Sequence, residues 1–226
     1  LDDYRYNTIL IEESVKAENP GFGHSVQNDL VVPYLLRHTT EEQKKRWLPK
    51  ICSGETIGAL AMTEPGGGSD VAAIKTLAKD MGDHYIVNGS KTFITNGLLA
   101  DLVIVACKTD TKSGAHGISL IILERGMDGF DRGNKLDKIG QLGQDTAELF
   151  FKDVKVPKEN LLGEEGKGFY YMMESLPKER LSIAAGSIAV IEFVLDLTIQ
   201  YCHDRKAFGQ KIGSFQNSKF KLAEMT

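Results

Sequence analysis

Apolar positions recur at helical spacing along the first eighteen residues, at Tyr4, Ile9, Leu10, Ile11 and Val15, and Asn19-Pro20-Gly21 stops the helix. The pattern predicts a second helix over about 22–36. A third starts at Thr40, which stands three residues before Gln43 as in a capping box, and runs to about Cys52 before Ser53-Gly54. The period then drops to two. Runs over 56–62, 75–79, 84–87, 91–95, 102–108, 117–124 and 147–156 read as strands, with Asn88-Gly89 as a hairpin turn between the third and fourth. Seven short strands without intervening helices predict an antiparallel sandwich or barrel of roughly a hundred residues. After Gly163-Glu164-Glu165-Gly166-Lys167-Gly168 the helical period returns. Pro177 suits a first turn, and one long helix, apolar nearly all round, is predicted from Arg180 to about His203. A last helix begins near Ser214. The fold class is therefore α+β: a helical N-terminal domain over 1–55, a middle antiparallel β-sandwich or barrel domain over 56–160 and a C-terminal helical bundle over 161–226. Both helical domains read as truncated, so the chain is expected to be an internal fragment with an open bundle seam along 181–195.

Composition narrows the function classes. With 42% hydrophobic and 26% charged residues the chain is neither disordered nor a fibrous repeat. Lys plus Arg number 27 against 31 Asp plus Glu, which lacks the basic excess of a nucleic-acid binder. Cys52, Cys107 and Cys202 form no CxxC pair and the five histidines form no HxxxH or HExxH spacing, so free thiols and no metal site are expected. The longest apolar run, 118–123, is far short of the ~20 residues of a spanning helix, so no membrane span is expected.

Four stretches hold candidate chemistry. In Met62-Thr63-Glu64-Pro65-Gly66-Gly67-Gly68-Ser69-Asp70 the glycines leave backbone N–H groups able to converge on an anion, with Ser69 as a further donor; a surface turn has the same composition. Lys91-Thr92-Phe93-Ile94-Thr95-Asn96-Gly97 supplies hydroxyls and a ring face, and ordinary strand propensity accounts for it equally. Glu179, read as a first-turn residue, is either a solvated carboxylate at the positive helix end or, in an apolar pocket, a general base. Arg205 closes the long helix, either as a C-terminal cation or as a guanidinium fork for phosphate.

Taken together and in this order, these stretches resemble the acyl-CoA dehydrogenase family. Gln144-Asp145-Thr146-Ala147-Glu148-Leu149, the segment from Leu162 to Phe169 and Arg205-Lys206-Ala207-Phe208-Gly209 extend the likeness over nearly the whole chain. Gly67 stands where Ala is more usual, and Phe93 where many members have Trp. The resemblance implies FAD between the middle domain and the bundle. Leu60, Ala61, Met62, Thr63, Gly68 and Ser69 from one segment, and Phe93, Ile94 and Thr95 from another, would embrace the flavin. Arg205 and Gln216 would reach FAD held mainly by a neighbouring subunit of a homotetramer. Ser69, Ala115, His116, Tyr170, Pro177, Lys178 and Arg180 match substrate-contacting positions.

The context Glu179-Arg180-Leu181 resembles the long-chain and isovaleryl branches, and the stretch from Gly168 to Arg180 looks closest to the long-chain branch. There Glu179 would be the catalytic base, removing the α-proton of an acyl-CoA while the β-hydrogen leaves as hydride to the flavin. The product would be a trans-2-enoyl-CoA, with an electron-transfer flavoprotein taking the electrons. The compartment implied is the mitochondrial matrix for a eukaryotic protein and the cytoplasm for a bacterial one. An acyl-CoA oxidase-like enzyme, an isovaleryl-type branched-chain dehydrogenase, or a catalytically silent flavoprotein with an assembly role are the other readings.

Overall fold

The computed structural model describes every residue except Leu1, Asp2, Pro20 and Phe22. The helix stop at Pro20 and the predicted helix start at 22 thus lie outside the described residues. Contacts divide the chain into two compact units, Pro20–Arg180 and a second formed by Leu1–Asn19 with Leu181–Thr226.

The first unit opens with a π-helical stretch, Val26–Val31, that runs into α2 (Val32–His38), and continues with α3 (Glu41–Ser53). The capping box at α3 forms as its spacing implied: Thr40 Oγ1 accepts from Gln43 N at 3.2 Å and Gln43 Oε1 accepts from Thr40 N at 2.8 Å. Gly54 ends the helix in the left-handed region at φ +79°.

An eight-stranded sheet follows, from β1 (Gly58–Ala61), β2 (Leu77–Asp80), β3 (His84–Thr95), β4 (Leu102–Lys108), β5 (Ile118–Glu124), β6 (Phe130–Lys135), β7 (Thr146–Pro157) and β8 (Leu161–Leu162). Its order is β6-β7-β3-β2-β4-β5-β8, with β1 beside β4. The sheet is mostly antiparallel, but β1 and β2 both pair with β4 in parallel, against the expectation of a wholly antiparallel domain. The chain between β1 and β4 is long enough to return β4 alongside β1 in the same direction, a connection that strand periodicity does not reveal. The period-two pattern also missed β6, whose Asp131-Arg132-Gly133-Asn134 is polar, and the two-residue β8.

The predicted hairpin at Asn88-Gly89 is absent. β3 runs straight through it, and its two halves pair with the same partner, β7, with a shift in register between Val87 and Gly89. The left-handed tolerance of Gly89 serves a bulge instead of a turn. Its φ is +148°, and a Cβ there would stand 2.7 Å from Thr76 Cα. Asn88 fastens the bulge to β7, donating to Asp153 Oδ1 at 3.0 Å and accepting from Asp153 N at 2.9 Å. Gly89→Ala is expected to destabilise by about 1–3 kcal/mol, read as a lower urea midpoint.

β4 and β5 are buried on both faces. Val103, Val105, Ile121 and Leu123 join Val87, Leu149 and Val156 in one apolar core. Leu102, Ile104, Leu120 and Ile122 face the other way and pack with Val31, Tyr34, Leu35 and Trp47 from the helices. Alternate residues of the same strands thus hold the sheet together and fasten the helices to it.

α4 (Gly168–Asp204) is one 37-residue helix that begins in the first unit and continues in the second. It starts twelve residues earlier than the predicted Arg180, so Pro177 lies inside it. Proline there leaves the Met173 carbonyl without its usual N–H partner, a cost the surrounding packing of the first unit absorbs. The second unit also holds α1 (Arg5–Lys16), a short hairpin of β9 (Lys206–Ala207) with β10 (Gln210–Lys211), and α5 (Gln216–Met225). Phe208 and Gly209 turn that hairpin with φ of +50° and +77°. Along α4, Leu181, Ile183, Ile188, Ile191, Val194 and Leu197 are each at least half exposed. By length and composition α4 is apolar enough to cross a membrane, its best window having a mean hydropathy of 1.8. Counting unbroken apolar runs overlooked this, because single polar residues interrupt the helix at intervals.

Candidate active site

The loop after β1 and the far half of β3 are brought together by a backbone bond from Thr92 N to Thr63 O at 2.9 Å. This unites the two segments that the sequence marked for one ligand. Leu60, Ala61 and Ile94 are buried behind them, while Met62, Thr63 and Thr95 are partly exposed. Phe93 stands between, 68% exposed, with its backbone in the left-handed region at φ +57°. A large ring turned out to water on strained backbone suits a platform for a planar group. Thr63 and Thr95, both partly exposed, lie on the same two joined segments, so the residue types present fit a flat heteroaromatic ring with polar edges, the flavin of FAD.

The glycine loop differs from an open nest of amides. Gly67 N donates to the Glu64 carbonyl at 3.0 Å and Glu64 N returns a bond to Gly67 O at 3.1 Å, closing a tight turn. Gly67's N–H is therefore committed within the loop. Gly68 lies close to Thr63, where a Cβ would come 3.3 Å from Cγ2, and Ser69 is exposed beyond it.

Beneath this loop lies a buried ion pair that sequence reasoning did not single out. Lys91 Nζ, with no exposed side-chain surface, donates to Glu64 Oε1 and to the Met62 carbonyl, both at 2.9 Å. Glu64 also accepts from Lys75 N, Thr76 N and Thr76 Oγ1 at 2.6–2.9 Å. Burial alone pushes its carboxyl up, but the Thr76 and Lys75 donors and the nearby Lys91 charge hold it below the ordinary range. Burial lowers Lys91 against the pull of its neighbours, and drives the adjacent Cys107 thiol up to about 12, leaving it inert. The one sequence signal was a lysine inside a strand-like run and a glutamate in the glycine loop, and only the packing of that loop against β3 shows that they meet.

Glu179 is the second centre. It lies about three turns into α4 and not in the first turn, so the positive helix end does not reach it. It is 8% exposed and, among the described residues, accepts one hydrogen bond, from Tyr34 Oη on α2 at 3.2 Å. Burial raises its carboxyl above the ordinary value, against the smaller opposing effect of the Tyr34 bond. Tyr34 itself, fully buried, is pushed far up by desolvation and by the neighbouring carboxylate. This is the apolar pocket that a general base requires, and it excludes the solvated reading of Glu179. Tyr34 shares one apolar cluster with Leu60 and Met172, and Met62 packs against that cluster. Glu179, through Tyr34, and the buried side of the Thr63 segment therefore border the same core.

Two of the anticipated substrate positions meet: Tyr170 Oη lies 3.2 Å from His116 Nδ1, with ring centroids 5.5 Å apart. Ala115 precedes His116 in the same short turn, Gly114–Gly117. Pro177 and Arg180 are exposed beside Glu179 on α4 and Lys178 is partly buried. Arg205 and Gln216 belong to the second unit, and both are exposed.

The acyl-CoA dehydrogenase N-terminal, middle and C-terminal domain models match residues 2–55, 59–154 and 166–226. The mitochondrial long-chain specific acyl-CoA dehydrogenase of Mus musculus is 50% identical over 225 residues, 99% of this chain and 52% of that protein. The mitochondrial isovaleryl-CoA dehydrogenase of Pongo abelii is 47% identical, over 98% of this chain and 53% of that protein. An acyl-CoA dehydrogenase structure from Geobacillus kaustophilus superimposes with a TM-score of 0.96 at 54% identity, over 99% of this chain and 59% of that one. The chain spans about half the length of the curated relatives it matches. Three consecutive domain models of one family, matched in order along nearly the whole chain, together with relatives about half identical to it, show that it belongs to the acyl-CoA dehydrogenase family.

Proposed function

We propose that the protein carrying this chain is an FAD-dependent acyl-CoA dehydrogenase with Glu179 as the base that removes the α-proton. The observation that carries this reading is the carboxylate of Glu179, buried, unpaired with any cation among the described residues and held by a single phenol. A thioester α-hydrogen is weakly acidic, and a desolvated carboxylate of raised basicity is matched to that task. FAD, when bound, supplies the acceptor for the β-hydride. Leu60 to Thr63 and Phe93 to Thr95 would hold its ring, with Ser69 near its phosphates and the CoA portion. His116 and Tyr170, coupled by their 3.2 Å contact, would bind substrate together. Arg205 and Gln216 would serve the flavin of a neighbouring subunit in a homotetramer, and the exposed apolar faces of α4 would be covered inside a helical bundle. The domain organisation is 1–55, 56–160 and 161–226.

The substrate is a long-chain acyl-CoA, supported by 50% identity to the Mus musculus long-chain enzyme; the isovaleryl-CoA dehydrogenase at 47% makes a branched short chain the second reading. The acceptor is an electron-transfer flavoprotein. The setting is the mitochondrial matrix if the source is eukaryotic, in line with the mitochondrial relatives. Anaerobic addition of acyl-CoAs from isovaleryl to palmitoyl to the complete FAD-loaded protein tests all of this. Bleaching of the flavin with kcat/KM rising toward palmitoyl is expected. Persistent yellow colour at every chain length favours a silent flavoprotein, and rapid peroxide formation in air an oxidase.

A further inference from the structure

Glu179 receives its hydrogen bond from outside its own helix. Tyr34 is fully buried on α2, 145 residues earlier in sequence, and its Oη lies 3.2 Å from Glu179 Oε1. We propose that Tyr34 is a positioning residue for the base, its phenol orienting Glu179 Oε1 and stabilising the carboxylate form. This rests on the reading of Glu179 as the base.

The surroundings leave that task to Tyr34. Leu35, Leu60 and Met172, which share the apolar cluster of Tyr34, offer no charge and no donor side chain; besides Glu179, the polar side chain that acts on the phenol among the described residues is Ser175, buried on α4. On α2 the next ionisable groups are Arg37 and His38. On α4 they are Glu174, Lys178 and Arg180. His38 Nε2 is directed at Glu174 Oε2, 4.0 Å away, and its ring stacks on Tyr171 at 4.0 Å. Among the described residues the Glu179 carboxyl is raised by burial and lowered by the Tyr34 bond. The phenol cannot share the burden by ionising, because desolvation and the adjacent carboxylate keep it protonated and therefore a donor. A carboxylate in an apolar pocket has rotational freedom about its terminal torsion, and one fixed donor from a separate helix selects which oxygen remains available to the substrate.

The test is the pH profile of flavin reduction in the complete FAD-loaded protein, for the unmodified chain, Tyr34→Phe, Glu179→Gln and His38→Gln. Tyr34→Phe keeps the ring and the packing. Losing one hydrogen bond to a charged group moves the acid limb up by roughly one pH unit, with a plateau lowered about three- to tenfold by the freed carboxylate. An unmoved limb in Tyr34→Phe, with FAD retained and melting unchanged, overturns the proposal. So does a limb that follows His38→Gln instead. Near-normal reduction in Glu179→Gln is a separate result, which removes the base assignment itself. Should Tyr34→Phe lose its fold, Tyr34→3-fluorotyrosine, a stronger donor of nearly the same shape, decides the matter: the acid limb is expected to move down, and an unmoved limb overturns the proposal.

Discussion

Replacing Glu179 by Gln is expected to retain FAD and lower the rate of flavin reduction by at least ~10²-fold, the lower end for an essential acid–base group. Gln has the shape of the carboxyl group it replaces and can still engage the Tyr34 hydroxyl, but it cannot take a proton. Anaerobic single-turnover bleaching with a saturating acyl-CoA measures the loss, and near-normal reduction would move the base to another residue. A second readout of the same variant runs in the opposite direction. The carboxyl of Glu179 is raised in the folded protein by burial, so its ionisation costs stability as pH rises from its ordinary 4.5 through the folded value. At neutral pH that cost is present in the natural chain and absent in Glu179→Gln. The inactive variant should therefore melt higher, with the difference vanishing in acid. A buried base kept for chemistry at the expense of stability has this signature.

Lys91→Met should be the most destabilising change in the loop after β1 and the far half of β3, by about 3 kcal/mol, the lower part of the range for breaking a buried ion pair. The lower part applies because Glu64 keeps its bonds from Lys75 N and from Thr76. The Met62 carbonyl also loses its donor, which loosens the segment that carries Thr63. Urea unfolding gives the loss, and Lys91→Met combined with Glu64→Gln should recover about half of it, since no uncompensated charge then remains inside. The pH dependence supplies the sign. Glu64 lies below its ordinary 4.5 in the folded chain, so it contributes stability above that pH and loses it as pH falls through the folded value. Removing Lys91 weakens that contribution, and the gap between the variant and the natural chain should narrow below about pH 4.5. A gap that stays constant with pH would show the lysine to matter only through its packing.

These two groups differ in how far the sequence exposed them. Glu179 was marked by its Glu-Arg-Leu context, yet its environment could not be read. Pro177 looked like a helix start, which would have left the glutamate solvated at a positive helix end. In the folded chain α4 begins at Gly168 and the same residue sits buried under α2. Lys91 and Glu64 both lay inside quoted motifs but carried no sign of one another, because an ion pair across 27 residues arises only where the loop after β1 folds against β3.

The order of elements, the capping box at Thr40, the strands from 102 to 124 and the family likeness of the flavin-side segments were all legible in the amino-acid sequence. Each depends on local periodicity or on residue types at short spacing, which neighbouring residues dictate. Tertiary structure alone decided the rest: Gly89 makes a bulge because Thr76 approaches it and β7 pairs across both halves of β3, β4 is joined in parallel by β1 and β2, and Tyr34 reaches Glu179. The basicity of Glu179 belongs with these, since it arises from desolvation by side chains far away in sequence. Burial and long-range pairing are properties of the packed chain, and no local pattern encodes which distant residue will supply them.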